Sequence, residues 1–114
     1  MSIFYLTDME RLQRNKAFLQ QLRRKNERVK KLKKANMDNI KLFADCAKNL
    51  VEGNISIPKS KMRKLKVMKE GIRLLARKSV PLKKKKRILV QRGGAIASLL
   101  IPIISTIAGL IAGR

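Results

Sequence analysis

Three runs of basic residues have the residue types and the spacing that point to a definite chemistry. Between Arg23 and Lys34, eight of twelve residues are Lys or Arg, and two further runs span Lys59–Lys69 and Lys83–Arg87. Closely spaced cationic groups neutralise phosphates and release condensed counterions, which gives binding without reading the base sequence. Lys outnumbers Arg in these runs, and Lys lacks the planar fork that reads guanine edges. The runs therefore predict non-specific binding to double-stranded DNA.

The candidate nucleic-acid-binding residues belong to these runs, with one further Arg close to the third. They are Arg23, Arg24, Lys25, Arg28, Lys30, Lys31, Lys33, Lys34, Lys61, Arg63, Lys64, Lys83, Lys84, Lys85, Lys86, Arg87 and Arg92. The chain offers few aromatic side chains that could stack on bases, because aromatic residues make up only 4% of it. Contact with phosphates is the chemistry that these residues offer.

The overall composition narrows the class of protein. The 114 residues include 29 Lys and Arg, 7 Asp and Glu, no His and one Cys, for a formal net charge of +22. Hydrophobic residues make up 45% of the chain, too many for a disordered basic tail, and the length suits one small domain with appendages. Without His or a second Cys, we expect no metal site and no cofactor. There are no paired carboxylates at helical spacing and no phosphate-binding loop, and although Ser and Lys are plentiful, nothing in the sequence places a Ser–Lys pair in a pocket, so we do not expect an enzyme.

Charge divides the chain into a basic body and an apolar tail. From Gly93 to Gly113 there is no charged residue. As a helix this stretch would be about 31 Å long, close to the thickness of a bilayer core. We expect it to act on membranes, and the core of a protein assembly is the alternative. The candidate membrane-contacting residues are Leu99, Leu100, Ile101, Pro102, Ile103, Ile104, Gly109 and Gly113. Pro102 favours a kink or two half-helices.

Hydrophobic periodicity predicts the helices that position the basic runs. Leu12, Leu19, Leu22 and Val29 form one narrow stripe, which predicts a basic N-terminal helix within residues 1–35. This helix is either solvated or one strand of a coiled coil. A second helix begins at Asn36 or Asp38 and ends at Gly53-Asn54. Its apolar face holds Ile40, Phe43, Ala44, Ala47, Leu50 and Val51, and Cys46 lies off that face as a passive thiol.

A repeated Ser-x-Pro motif marks two further helix starts. Ser56-Ile57-Pro58 and Ser79-Val80-Pro81 lie 23 residues apart, and Pro suits the first turn of a helix. The first of these helices carries Met62, Leu65, Met68, Ile72 and Leu75 on one side, with Gly71 as a weak point. The predicted fold is all-α, a small bundle of short amphipathic helices with a basic N-terminal helix and a C-terminal apolar helical tail. The predicted domains are residues 1–35, a small basic helical domain over 36–92, and the tail over 93–114.

The junction between body and tail resembles a viral family. The sequence Leu89-Val90-Gln91-Arg92-Gly93-Gly94-Ala95, followed by an apolar tail, is similar to the precursor of the adenovirus minor core protein X (mu). It looks even more like the small late proteins of Polinton (Maverick) elements and adintoviruses. The resemblance implies condensation of DNA in a virion, assembly in the host nucleus, and cleavage by an adenain-like cysteine protease. The cut would fall between Gly94 and Ala95, so Gly93, Gly94 and Ala95 form the candidate protease site.

Taken together, these patterns predict a minor core protein of a virus or virus-like element. Its basic body would condense DNA non-specifically, and its protease-released tail would contact a membrane or capsid proteins. The alternative is a tail-anchored, single-span membrane protein with a basic cytosolic domain, because a basic flank precedes the C-terminal apolar stretch. A pore-forming or antimicrobial toxin is a third hypothesis, since cationic and apolar halves also occur together in such peptides.

Overall fold

The computed structural model describes residues 6–53, 55, 57 and 59–112, which form helices and turns with no strand among them. The helices are α1 (Leu6–Arg14), α2 (Lys16–Leu22), α3 (Lys25–Lys33), α4 (Met37–Val51), α5 (Lys59–Val67), α6 (Lys69–Ala76) and α7 (Leu82–Ala112). The predicted all-α bundle of short helices is confirmed.

The N-terminal part differs from the single helix that its apolar stripe predicts, because it is broken twice. Asn15 separates α1 from α2, and an extended residue, Arg24, precedes α3. The Asn15 side chain is buried, and its amide donates a hydrogen bond of 2.6 Å to the Arg11 carbonyl. Such bonding from side chain to backbone competes with the helical ladder. The predicted stripe itself is present: Leu12, Leu19 and Leu22 are buried, and Val29 is half-buried.

Helix α4 lies at the centre of the core. The side chain of Asn36 accepts a hydrogen bond from the Asn39 backbone N–H (2.8 Å), and the Asn39 side-chain oxygen accepts one from the Asn36 backbone N–H (2.9 Å). Cys46 is fully buried, so its predicted position off the apolar face is wrong, and Val51 is 53% exposed although it was expected on that face. Cys46 is buried because α1, α6 and α7 all pack against α4 and cover more than one of its sides, whereas Val51 is the last residue of the helix.

The two Pro-marked helices begin where the motif predicts. Helix α5 starts at Lys59 and α7 at Leu82, while Ser56 and Pro58 lie outside the described residues. The helix predicted after Pro58 is divided at Met68 into α5 and α6. Among its predicted apolar residues, Ile72 and Leu75 are buried, Leu65 and Met68 are half-buried, and Met62 is exposed.

Helix α7 contains a break that divides it into residues 82–90 and 95–112. Gln91 is extended, and Arg92, Gly93 and Gly94 have left-handed backbone angles (φ 55°, 67° and 77°). The break therefore lies at the Gly-Gly junction, and the helix continues through Pro102, where the sequence favours a kink. Glycine accepts positive φ without steric cost. At Gly94 a Cβ would also lie 2.9 Å from a methyl group of Leu32, so glycine permits close contact with α3.

The second half of α7 completes the hydrophobic core. Its buried residues are Ile96, Ala97, Leu99, Leu100, Ile101, Ile103 and Ile104, which pack in one cluster with the buried residues of the body. Helices α3, α4 and α6 all contact α7. Full burial of a Leu or Ile side chain stabilises a fold by about 1.5–3 kcal/mol. The apolar tail, as far as Ile104, thus belongs to the same core as the basic body.

Gly71 is a point of close contact between α6 and the second half of α7. A Cβ at this position would lie only 2.4 Å from the Cδ1 atom of Ile96. We expect Gly71→Ala to destabilise the protein by up to about 1 kcal/mol, because moving the terminal methyl group of Ile96 within a packed core costs slightly more than the gain in helix propensity of about 1 kcal/mol. The measurement is the urea unfolding midpoint.

The matched control for Gly71→Ala removes the atom that would collide. Ile96→Val lacks Cδ1, so the double variant should recover stability relative to Gly71→Ala alone. A single Gly71→Ala variant that is more stable than the wild type would show that α6 and α7 are not in this contact.

Candidate nucleic-acid interface

The first and third basic runs lie on neighbouring helices, α3 and the first half of α7. The Nζ atom of Lys86 donates a hydrogen bond of 3.0 Å to the carbonyl of Ala35, just after α3. At the break in α7, a Cβ at Gly94 would lie 2.8 Å from the Arg28 side chain and 2.9 Å from that of Leu32, both on α3. Contacts with α3 therefore occur both early in α7 and at its break.

The second basic run approaches the same part of α7 from another side. Val67 and Met68, at the end of α5, line a groove of about 520 Å³ together with Lys84 and Arg87 of α7. Helices α5 and α7 are in contact. We define the basic face as α3, α5 and the first half of α7, together with the residues that flank them (23–34, 59–66 and 83–92). These segments contain 19 basic residues and one acidic residue, Glu27.

Most of the candidate DNA-binding residues point to solvent. Of the seventeen, twelve are exposed: Arg23, Arg24, Lys25, Lys30, Lys33, Lys34, Arg63, Lys64, Lys83, Lys84, Arg87 and Arg92. Arg28, Lys31, Lys61 and Lys86 are half-buried. The Nε atom of Arg28 donates a 2.8 Å hydrogen bond to the carbonyl of Leu22 at the end of α2. Arg28 and Lys86 therefore satisfy backbone carbonyls near helix ends as well as adding positive charge.

Lys85 is the exception within the third run. It is only 6% exposed, and burial lowers the pKa of its ammonium group, while the charge of Asp45 acts in the opposite direction. The two preceding residues, Lys83 and Lys84, are exposed, and the following residue, Lys86, is half-buried. Among the predicted binding residues, Lys85 is the one whose head group the fold holds away from solvent.

The carboxylates of α4 are engaged by α1. Arg11 and Arg14 approach Asp38 at 3.3 and 3.0 Å, and Arg11 also forms an ion pair with Asp45. The hydrogen bond from Arg14 is the main cause that holds the pKa of Asp38 below its ordinary value, and Asn15 adds a second hydrogen bond of 3.0 Å. These negative charges are therefore neutralised on α1 and α4, outside the segments that form the basic face.

The structure also exposes basic residues that the prediction omits. They are Arg14, Lys16, Lys41, Lys48, Lys59, Lys66, Lys69, Arg73, Arg77 and Lys78. Lys59, Lys66 and Lys69 lie within the second run and could have been included from the sequence. The others lie outside the runs, and their exposure depends on the burial of their neighbours. In total, 22 of the 28 described Lys and Arg side chains are exposed.

The predicted protease site lies at the break in α7. Gly93 is exposed, with open space where a Cβ would lie, whereas Gly94 is buried against α3 and Ala95 is half-buried. A protease groove binds an extended chain. Cleavage between Gly94 and Ala95 would therefore require this left-handed turn to straighten, and cleavage itself stays a prediction.

The predicted membrane-contacting residues divide between the core and the end of the chain. Leu99, Leu100, Ile101, Ile103 and Ile104 are buried and Pro102 is half-buried; Gly109 lies in α7, and Gly113 lies outside the described residues. Leu82–Ile104 is apolar and long enough for a bilayer span, with a mean hydropathy of 1.4, but half of the apolar window is buried inside the fold. Core helices meet the same criterion, so membrane activity stays a prediction.

The remaining chemistry-bearing group is the thiol of Cys46. Burial raises its pKa to about 12, and the nearby charge of Asp45 acts in the same direction. Within the part of the chain that the structure describes, no cluster of three Cys, Asp or Glu side chains is arranged to hold a metal ion.

Comparison of the chain with protein-family models, with curated proteins and with solved structures finds no significant match.

Proposed function

We propose that this protein binds and condenses double-stranded DNA non-specifically through the basic face. The observation that carries the proposal is the convergence of three basic runs, distant in sequence, around the first half of α7. Phosphate neutralisation needs charge density and exposure rather than a particular side-chain geometry. A surface rich in exposed Lys supplies both.

The positive charge of the basic face is close to the negative charge of a DNA duplex segment as long as the protein. The longest dimension of the fold is 34 Å, and a duplex of that length carries about 20 phosphate charges. The basic face contains 19 basic residues, and 18 of them, all but Lys85, are exposed or half-buried. One molecule therefore brings nearly as much positive charge as the duplex beside it carries negative charge. Such near-neutralisation removes the repulsion that keeps DNA segments apart.

A finer proposal rests on the resemblance to the adenovirus core protein precursor. In that setting the DNA is a viral or virus-like genome packed in a virion, and the protein is a late product that assembles in the host nucleus. An adenain-like cysteine protease would cut between Gly94 and Ala95, and the tail would act on membranes or capsid proteins.

A charge-neutralised variant tests the use of the basic face. Lys33, Lys64 and Lys84 are exposed lysines, one on each of its three helices. Replacing all three by Gln should weaken binding to any duplex. The slope of log K against log salt is negative, and its magnitude should fall by about 0.9 for each phosphate that the variant no longer neutralises. Fluorescence anisotropy at several salt concentrations measures this slope, and light scattering follows condensation.

The matched control removes the same charge from elsewhere. Lys16, Lys41 and Lys48 are also exposed, and they lie on α2 and α4. Their replacement by Gln should reduce the slope less than the variant of the basic face. Equal effects of both variants would show that the whole surface, rather than this face, contacts DNA. A strong preference for one duplex sequence would overturn the proposal of non-specific binding.

The alternative of a tail-anchored membrane protein is tested by flotation with vesicles. Residues 95–112 form an 18-residue helix, about 27 Å long, which is near the lower limit for a span. Stable flotation that resists high salt and alkaline extraction would favour this alternative. Flotation that disappears in high salt would support a soluble basic protein that contacts anionic lipid through charge.

A further inference from the structure

We propose that α3, α4 and α6 form a binding site for residues 95–104 of this same chain, which retains the segment after the backbone is cut in the Gln91–Gly94 turn. Cutting alone would then not release the apolar tail. The inference rests on the proposed function only where it concerns the membrane role of the released segment.

The contacts of the segment support retention. Seven of its ten residues are buried, and they alternate around the helix so that more than one side is covered. Gly94, which stays with the segment when the chain is cut before it, lies against Leu32 of α3, and Ile96 lies against Gly71 of α6, so a Cβ on either glycine would displace a neighbouring side chain. Such close contacts with two separate helices indicate that the segment packs against a complementary surface, as in a protein interior.

The first three residues of the turn contribute little to this packing. Gln91, Arg92 and Gly93 are all exposed, and no atom lies within 4 Å of the position of a Cβ at Gly93. A break in the backbone here removes the covalent connection but leaves the buried contacts in place. Scission makes the segment a separate molecule, so its dissociation gains translational and rotational entropy that is not gained while the chain is intact.

This arrangement places release of the tail under the control of core stability. In the closed fold, the side chains that would enter lipid are the same ones that fill the core, so the two states exclude one another. Release therefore needs two events, a cut in the turn and an opening of the body. The free energy of this opening depends on the packing of residues outside the tail, such as Leu32.

The test is an inserted cleavage site in the full-length protein. A short recognition sequence for a specific protease is placed between Arg92 and Gly93, both exposed, and the protein is cut to completion. We expect the two fragments to elute together in gel filtration at the position of the uncut protein. They should separate only in concentrated guanidinium chloride. A C-terminal fragment that elutes alone or precipitates under native conditions would overturn the proposal.

A variant of the body tests whether the buried contacts hold the fragment. Leu32→Ala removes a fully buried side chain next to Gly94, and it should raise dissociation of the cut fragment by about a hundredfold, because such core truncations leave a cavity. Met37→Ala is the matched control, since Met37 is 63% exposed and does not line the groove beside residues 95 and 96, so it should leave dissociation unchanged. Equal dissociation of the two variants would contradict the proposal.

Hydrogen exchange provides a second measurement that does not depend on the folding of a variant. Amide protons of residues 95–104 should remain protected in the cut wild type, as they are in the uncut protein. Rapid exchange of this segment after the cut would overturn retention.

Dye release from anionic phosphatidylglycerol vesicles separates this inference from the proposed function. The cut wild type should leave vesicles intact, and the cut Leu32→Ala variant should cause leakage. Leakage by the cut wild type at the rate of the variant would overturn the inference. A Leu32→Ala fragment that dissociates without causing leakage would contradict the membrane role of the tail and leave retention supported.

Discussion

Cys46 is expected to react with Ellman's reagent at least a thousand times more slowly in the folded protein than in the unfolded chain. Burial raises the pKa of its thiol from 9.0 to about 12. At pH 8, about one thiol in ten is ionised in the unfolded chain and about one in ten thousand in the folded protein, and the thiolate is the reactive form. Lack of access to the buried sulfur slows the folded protein further. Absorbance at several concentrations of urea measures the rate.

The chain contains a single cysteine, so the signal has one source. Cys46→Ala should give no reaction under any condition. Because α4 packs against α7, labelling also reports opening of the core around the apolar tail. A native rate within tenfold of the unfolded rate would show that Cys46 is accessible and that the core is open.

The same thiol makes stability depend on pH in the alkaline range. The raised pKa keeps the folded thiol protonated while the unfolded thiol ionises, so its contribution is full below about pH 9 and is lost between pH 9 and 12. The loss should be about 1.4 kcal/mol per pH unit. The lowered pKa of Lys85 has the opposite effect, because it makes the free energy of unfolding rise as the pH rises. Comparison of wild type with Cys46→Ala cancels the Lys85 contribution, because both proteins contain it.

Leu100→Asp is expected to abolish the cooperative unfolding transition. Leu100 lies at the centre of the second half of α7 and is fully buried. The substitution removes an apolar side chain and places a carboxylate in an apolar core, and the combined cost exceeds about 5 kcal/mol, comparable to the total stability of a small domain. Thermal unfolding followed by circular dichroism measures the effect.

An exposed position provides the control for this substitution. Val67 is 69% exposed, so Val67→Asp should change stability by less than about 0.5 kcal/mol while changing the charge by the same amount. If Leu100→Asp unfolds at the wild-type temperature, residues 95–104 do not belong to the core and the tail is exposed in solution.

The helices could be predicted because their apolar residues repeat with the helical period. Leu12, Leu19 and Leu22 form the predicted stripe, and Asn36 caps α4 as one of the two predicted candidates. The break at Asn15 was harder to anticipate. Its side chain bonds to Asp38 and Asn39, which lie more than twenty residues away, so its burial depends on the arrangement of α1 against α4.

The candidate DNA-binding residues follow from the sequence, but the face that they form does not. Runs of Lys and Arg seldom enter a core, so the exposure of residues such as Lys33 and Arg87 could be expected. Lys85 departs from that rule because its position on α7 turns it toward the core, between exposed Lys84 and half-buried Lys86. The convergence of α3 and α5 on α7 arises from long-range packing, about which local charge patterns contain no information.

Composition and hydrophobic periodicity are enough to establish the helical class of the protein, its excess of positive charge and the division between a basic body and an uncharged tail. The location of residues 96–104 follows from long-range packing. An apolar segment lowers its free energy by leaving water, whether it enters lipid or a protein interior, so hydropathy alone does not distinguish the two. The distinction depends on complementary surfaces, here on α3, α4 and α6, and on the absence of side chains at Gly71 and Gly94, which lets the segment approach closely enough to be buried.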